Sequence, residues 1–257
     1  MKIGAVQHVF SNADTDLARF EKGKAAGLAG VEPDLSVDDL ADPTEARLAS
    51  IKAARDATGL EIPALCIGAH NGEGFIFATW RGDEPMMEIR KAVRWCHELG
   101  AEALLVPFFA FNEPRNAPQR ARVAEVLGPI CREAEALNVA ICFEGLLPAT
   151  QLWQIATQID SPAFGTYYDM GNSVFVEHDP AAEARALGRL VRRVHIKDTL
   201  VNAGDAPLGQ GSVDFPAVAA ALRDINYDQW IVIEAFGMAD DDLTQAIAVV
   251  RKHFPIT

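Results

Sequence analysis

ICFEG at Ile141–Gly145, YYDMGN at Tyr167–Asn172, RVHIKDT at Arg193–Thr199 and IVIEAF at Ile231–Phe236 share one pattern. Each is a short apolar run that ends on a metal-ligating side chain: Glu144, Asp169, His195 and Glu234. A strand buried on both faces reads as such a run, with few polar interruptions. A polar side chain at its C-terminal tip stands where a (β/α)₈ barrel places its chemistry, because all the strands open on one face.

The pattern extends in both directions along the chain. Eight strands are expected, at Ile3–His8, Ala29–Pro33, Ile62–Ile67, Ala103–Phe108, Val139–Glu144, Gly165–Asp169, Arg193–Ile196 and Trp230–Glu234. Between them lie segments with apolar residues three and four apart, the spacing of a helix with one buried face. These are Leu17–Ala26, Pro43–Thr58, Glu84–Leu99, Ala117–Leu137, Pro148–Gln158, Pro180–Arg192, Phe215–Ile225 and Asp241–His253. Pro43 reads as a helix start, and Gly59 and Gly100 as helix ends. Strict alternation predicts a parallel sheet. A doubly wound sheet would want a glycine-rich phosphate loop after the first strand, and VFSNADTD contains no glycine. The expected fold is therefore α/β, a single-domain (β/α)₈ TIM barrel over residues 1–257.

Composition sets limits on function. At 257 residues the chain is long enough to remove roughly 70% of its unfolded surface from water without disulfides. Its four cysteines lie in strand-like or helical runs and form no CxxC pair. That usage predicts reduced, buried thiols in a cytoplasmic protein. No apolar run approaches the roughly 18 residues of a membrane span. A net charge of −13 argues against a nucleic-acid partner, which selects basic surfaces.

In a barrel the four tips belong to strands five to eight, which are neighbours around the mouth. Three carboxylates and one imidazole there would hold one divalent ion, with Mn²⁺, Mg²⁺ or Co²⁺ better suited than a thiolate-bound structural zinc. Singly, each residue has a plainer explanation: a surface acid, a loop hydrogen bond, or, for Asp169, a cap on the following turn. Four ligand types on four successive tips are harder to attribute to chance.

ICFEG, YYDMGN, VHIKDT, the loop LGQGSVDF at Leu208–Phe215 and IVIEAF together resemble the sugar-phosphate isomerase/epimerase family of xylose-isomerase-like TIM barrels. GLAGVEPDL at Gly27–Leu35 and GAEALLVPFF at Gly100–Phe109 extend the likeness more weakly. The resemblance implies an isomerase with one divalent metal, Mn²⁺ first, with Mg²⁺, Co²⁺ or Zn²⁺ as alternatives. Glu144, Asp169, His195 and Glu234 would be its ligands, and Glu144 and Glu234 would also be the acid and base. The substrate would be a ketose or ketose phosphate, epimerised through a metal-stabilised enediolate. Asn172 stands where free-ketose 3-epimerases usually carry histidine, which is closer to the ulose-5-phosphate 3-epimerases. A dimer or tetramer is open to such barrels.

Supporting residues follow from position. Lys197, two residues beyond His195, would steady the enediolate or pair with a ligand carboxylate. Asp198 would orient His195 or cap the loop. The glycines of LGQGSVDF would let backbone amides approach a phosphate, with Ser212 or Asp214 capping the next helix. His8, Glu32, His70 and Asn172 are candidate substrate contacts, and Trp80, Phe109 and Phe111 candidate pocket walls. Two other functions use the same architecture: an inosose-dehydratase-like lyase on a cyclic polyol ketone, and a non-catalytic sugar-binding barrel. Six histidines and an acidic balance disfavour a trinuclear zinc endonuclease.

Overall fold

A computed structural model describes residues 1–10, 12–68, 70–73, 76–77, 82–235 and 240–256. Eight parallel strands follow one another around the sheet: β1 Lys2–Val6, β2 Gly30–Glu32, β3 Leu65–Cys66, β4 Ala103–Phe108, β5 Ala140–Gly145, β6 Phe164–Asp169, β7 Val191–Ile196 and β8 Trp230–Ile233. β1 pairs with both β2 and β8. The seam between β2 and β3 is spanned by isolated parallel bridges, Gly30 to Glu61 and Asp34 to Cys66. The result is a nearly closed (β/α)₈ TIM barrel, as the alternation predicts.

Helices separate the strands. The long ones are α1 Asp16–Ala25, α3 Ala46–Thr58, α5 Glu84–Leu99, α6 Ala117–Glu135, α7 Ala149–Ile159, α9 Pro180–Leu187, α10 Phe215–Asp224 and α11 Asp240–His253. Gly59 and Gly100 end α3 and α5 in the left-handed region, at φ 74° and 72°, where a side chain would be strained. Asp214, and not Ser212, caps α10 by accepting from the Ala217 amide. Three short helices on the rim, α2 Val37–Ala41, α4 His70–Glu73 and α8 Met170–Phe175, have too few turns to leave a periodic trace.

Two helix boundaries differ from the sequence expectation by three residues or more. α3 begins at Ala46, not at Pro43, because the Asp42 carboxylate takes the Thr44 amide and hydroxyl and closes a turn first. α9 stops at Leu187, and Gly188–Leu190 forms a 3₁₀ turn. β7 then starts at Val191, two residues earlier than expected.

The barrel interior is filled with large apolar side chains. Phe108 and Phe143 stack across β4 and β5 with ring centroids 4.3 Å apart, and both are fully buried. Each such side chain contributes about 1.5–3 kcal/mol by burial. Near the N-terminal end of the barrel, Arg193 of β7 is buried and donates to the Pro63 and Arg192 carbonyls at 2.7 and 2.8 Å. His195 lies two residues further along β7, at the opposite end of the strand. Cys96, Cys131 and Cys142 are buried and Cys66 is partly so, all four as free thiols. Burial pushes the Cys131 and Cys142 thiols up to about 12.

Candidate active site

The four strand tips meet. Glu144, Asp169, His195 and Glu234 each present one potential ligand atom, and these atoms all lie within 4.8 Å of one another. Strand register produces this convergence. Asp169 of β6 sits opposite His195 of β7. Glu144 is the fifth residue of β5, and Glu234 follows the last residue of β8. His195 Nδ1 faces Glu144 Oε1 at 3.2 Å, Glu234 Oε2 at 3.5 Å and Asp169 Oδ2 at 4.0 Å. Glu144, Asp169 and His195 are buried, and Glu234 is the most open of the four.

The other face of the imidazole is also occupied. His195 Nε2 lies 3.2 Å from Glu32 Oε1, and the Tyr167 hydroxyl donates to Glu32 Oε2 at 2.5 Å. Glu32 is 1% exposed, so both of its oxygens are engaged behind the histidine. Glu32 also lines the cleft that opens over the cluster, where a substrate contact is expected, while β2 aims its carboxylate across the barrel at His195. Loss of the Nδ1 proton, with Nε2–H kept on Glu32, would free the Nδ1 lone pair for a cation held among the three acids.

Charge is concentrated here. Lys197 Nζ sits 2.5 Å from Glu234 Oε2 and 3.0 Å from Asp169 Oδ2. Burial raises the Asp169 carboxyl, Lys197 pulls it back, and the balance leaves it at about 6. Burial opposes the His195 imidazolium, but Glu234, Glu32 and Glu144 together hold its pKa well above that of an ordinary histidine. Burial also opposes the Lys197 ammonium, and Asp169 and Glu234 override it upward.

The donor set fits a divalent cation. Two bonds of about 2.1 Å at a right angle place their donors about 3 Å apart, close to the His195–Glu144 and His195–Glu234 separations. Asp169 Oδ2 is buried and accepts no hydrogen bond. The Lys197 ammonium lies 3.0 Å from it and offsets part of its charge. A carboxylate oxygen has more than one lone pair, so it can still accept a second cation beside Lys197.

A cleft of about 240 Å³ opens over the cluster. Glu144, His195 and Glu234 form its floor, His8, Asp34 and Asn71 its polar wall, and Leu105, Pro107 and Phe109 its apolar wall. His8 Nε2 pairs with Asp34 Oδ2 at 3.1 Å, and that hydrogen bond raises the His8 pKa against the effect of burial. A larger groove of about 590 Å³, among Glu102, Arg192 and Arg193, lies at the other end of the barrel and contains none of the four tips.

Other expected contacts fall elsewhere. His70 is fully buried in α4, with Nε2 2.7 Å from Glu88 Oε2, outside the cleft. Its neighbour Asn71 lines the cleft instead, accepting from the Phe109 amide at 2.8 Å. Asn172, buried in α8, gives its amide to Asp169 Oδ1 at 2.8 Å. It borders a separate cavity of about 30 Å³ and does not face the cleft. Lys197 is paired with two of the acids and is absent from the cleft wall. Phe109 walls the cleft and Phe111 is exposed, while Trp80 lies outside the described residues.

Asp198 does not touch His195. It accepts four amides, from Thr199, Gly209, Gly211 and Val213, at 2.8 to 3.0 Å. The glycines of LGQGSVDF therefore allow close approach to a carboxylate of the chain itself. A Cβ on Gly211 would stand 2.2 Å from Asp198 Oδ1. Asp34 and Asn71 went unread in the sequence, because nothing local separates them from ordinary loop residues.

A (β/α)₈ barrel with a buried carboxylate–imidazole cluster at its open rim is a defined class of protein. Residues 20–253 match the model of the xylose isomerase-like TIM barrel family, and the chain belongs to that family. It is 28% identical over 240 residues to a putative L-ribulose-5-phosphate 3-epimerase, SgbU, of Escherichia coli, covering 84% of this chain and 82% of that one. It is 25% identical over 269 residues to the L-ribulose-5-phosphate 3-epimerase UlaE of Escherichia coli, covering 97% and 92%. Among solved structures, a D-allulose 3-epimerase from Methylomonas sp. superposes with a TM-score of 0.82 at 18% identity, over 99% and 98% of the two chains. The 3-keto-D-glucoside 4-epimerase YcjR of Escherichia coli superposes at 0.79 with 21% identity, over 98% and 99%. The named relatives are epimerases, which are isomerase-class enzymes, in line with the expectation from sequence. No helix among the described residues is long and apolar enough to cross a membrane.

Proposed function

We propose that this chain is a divalent-metal-dependent sugar epimerase that inverts C3 of a ketose or ketose phosphate. The observation that supports this most is the convergence of Glu144, Asp169, His195 and Glu234 under a cleft of sugar size. The relatives named as epimerases point the same way. A cytoplasmic, small-molecule role accords with this reading, in an assembly that is a dimer or tetramer.

Mn²⁺, or Mg²⁺, Co²⁺ or Zn²⁺ in its place, would be held by these four residues, polarising the ketose carbonyl and acidifying the C–H beside it. The proton work falls to the chain. Glu144 and Glu234 come from β5 and β8, the outer two of four successive strands, so a substrate carbon can lie between them. One carboxylate takes the proton from carbon, leaving the enediolate. The other returns a proton to the opposite face and the centre inverts, with no oxidant or reductant consumed. Glu32 fixes the His195 ring through Nε2, and Tyr167 fixes Glu32; such partners orient a ligand histidine. Lys197 offsets part of the charge of Asp169 and Glu234.

The test is hydrogen exchange in D₂O, followed by NMR, with a panel of ketoses and ketose phosphates and added Mn²⁺. The reading expects deuterium at C3 together with the epimer, abolished by chelation and restored by Mn²⁺. Binding without exchange at any carbon would leave a sugar-binding barrel, and loss of water by mass would make the protein a dehydratase.

A further inference from the structure

We infer that the substrate carries no phosphate: it is an uncharged polyhydroxy ketone, whose hydroxyls remote from the reacting carbon are taken by the His8–Asp34 pair. This rests on the epimerase reading above and narrows it. It also departs from the phosphorylated substrate in the names of SgbU and UlaE.

Three placements point to it. The first is Asp34 itself. It follows β2, its Oδ1 accepts the Gly68 amide at 2.8 Å, and its Oδ2 meets His8 Nε2 at 3.1 Å. Both residues are in the cleft wall. A carboxylate there repels a phosphate dianion at contact distance, and the same carboxylate accepts a sugar hydroxyl well. Beside it, half-exposed His8 completes a donor–acceptor couple of the kind that vicinal hydroxyls engage.

The second placement is the loop after β7. Its glycines suggest an amide cradle for an anion, but the Gly209, Gly211 and Val213 amides all point at Asp198. A phosphate would have to displace a buried carboxylate that already accepts four amides. The third is the commitment of the neighbouring cations. Lys197 is held by Asp169 and Glu234 at 3.0 and 2.5 Å. Arg19, whose charge is felt at His8, and Arg47 turn to Asp16 at 3.6 and 2.8 Å. Among the described residues the cleft wall contains no lysine or arginine. Its charged pair is Asp34 with His8, and the carboxylates of Glu32, Glu144 and Glu234 lie beneath them.

A site built to bond hydroxyls discriminates strongly against a ligand that leaves its groups unmatched. The experiment compares free pentuloses and hexuloses with their 5- and 6-phosphates, using the Mn²⁺-loaded protein and C3 deuterium exchange as the readout. The neutral ketoses are expected to exceed the matching phosphates by about tenfold or more in kcat/KM. Asp34→Asn and His8→Gln should each raise KM for the best neutral ketose by about tenfold with kcat largely kept, the loss of one charge-assisted hydrogen bond. Asp34→Asn keeps an acceptor for the Gly68 amide, so the wall still folds. A phosphate ester preferred over its parent sugar, or improved by Asp34→Asn, would overturn the inference and leave the epimerase reading standing. An unchanged KM in both variants would also overturn it. No exchange with any member of either series would remove the epimerase reading, and this inference with it.

Discussion

The two halves of the barrel are built differently. β4 to β8 are strands of four to six residues joined by ladders of three to six pairs, with one register shift at Thr166/Tyr167, and β5 to β8 each carry a cluster residue at or just past the tip. β2 and β3 are three and two residues long and join through single bridges. From this half come the polar residues of the cleft wall: His8 after β1, Asp34 after β2 and Asn71 in α4. A rigid half holds the acids and a looser half shapes what lies over them. This is the division expected when reaction chemistry is set by strand geometry and selectivity by loops. Glu32 crosses between the halves, carried on a short strand yet directed at His195.

The sharpest way to break that comparison is in the rigid half. Glu144→Gln and Glu234→Gln keep the shape of each side chain and remove its capacity to take a proton. Each should lower turnover by about 10²–10⁴-fold with the best ketose, with the fold unchanged by circular dichroism. Near-normal turnover in either variant would mean that proton transfer does not run through both tips, and the functional division between the halves would fail at its strongest point.

Glu32 offers the next largest effect and tests whether the halves are coupled. With Glu32→Gln the oxygen facing His195 Nε2 can be retained, but its charge is gone and the Tyr167 bond must reorganise. Affinity for Mn²⁺, measured by calorimetry on metal-stripped protein, should fall about 10–100-fold. Tyr167→Phe should lower it less, because Glu32 keeps its charge and its contact with His195. Metal binding has to displace protons from the cluster, so affinity in the parent protein should drop as pH falls and more protons evolve on binding. If Glu32→Gln lowered stability but left Mn²⁺ affinity alone, Glu32 would be a packing group only.

How much of this was legible follows the same division. The strand alternation gave away the barrel, because buried parallel strands and one-faced helices have different periods. The four tips were readable because an ionisable residue ending an apolar run is a local signal, and the barrel topology supplies the convergence. The cleft wall was not readable. His8 and His70 look alike in sequence, and only the fold turns one to the cleft and the other to Glu88. Asp34 and Asn71 gain their place through Gly68 and Phe109, 34 and 38 residues away. Lys197 pairs with the acids, one of the two roles its position suggests, whereas Asn172 gives its backbone amide to Asp169 and borders a separate cavity.

Asp198 separates the two kinds of information within one segment, and its removal should have the smallest effect on chemistry. HIKDT continues the rigid half, whereas Leu200–Val213 is loop; Asp198 joins them by accepting amides up to 15 residues away. Its four bonds replace the backbone partners that a loop otherwise lacks. Asp198→Ala removes all four acceptor contacts at once, although water can reach some of the freed amides. The expected cost is about 2–3 kcal/mol, which for a chain of this size lowers Tm by about 5–10 °C. Turnover at saturating substrate and Mn²⁺ should change only a few-fold, since Asp198 contacts neither His195 nor the cleft. A loss of turnover as deep as that of the glutamate variants, with Tm unmoved, would mean that the loop itself takes part in the reaction. The amides would then be serving a ligand, and the assignment of Asp198 as a structural clasp would be wrong.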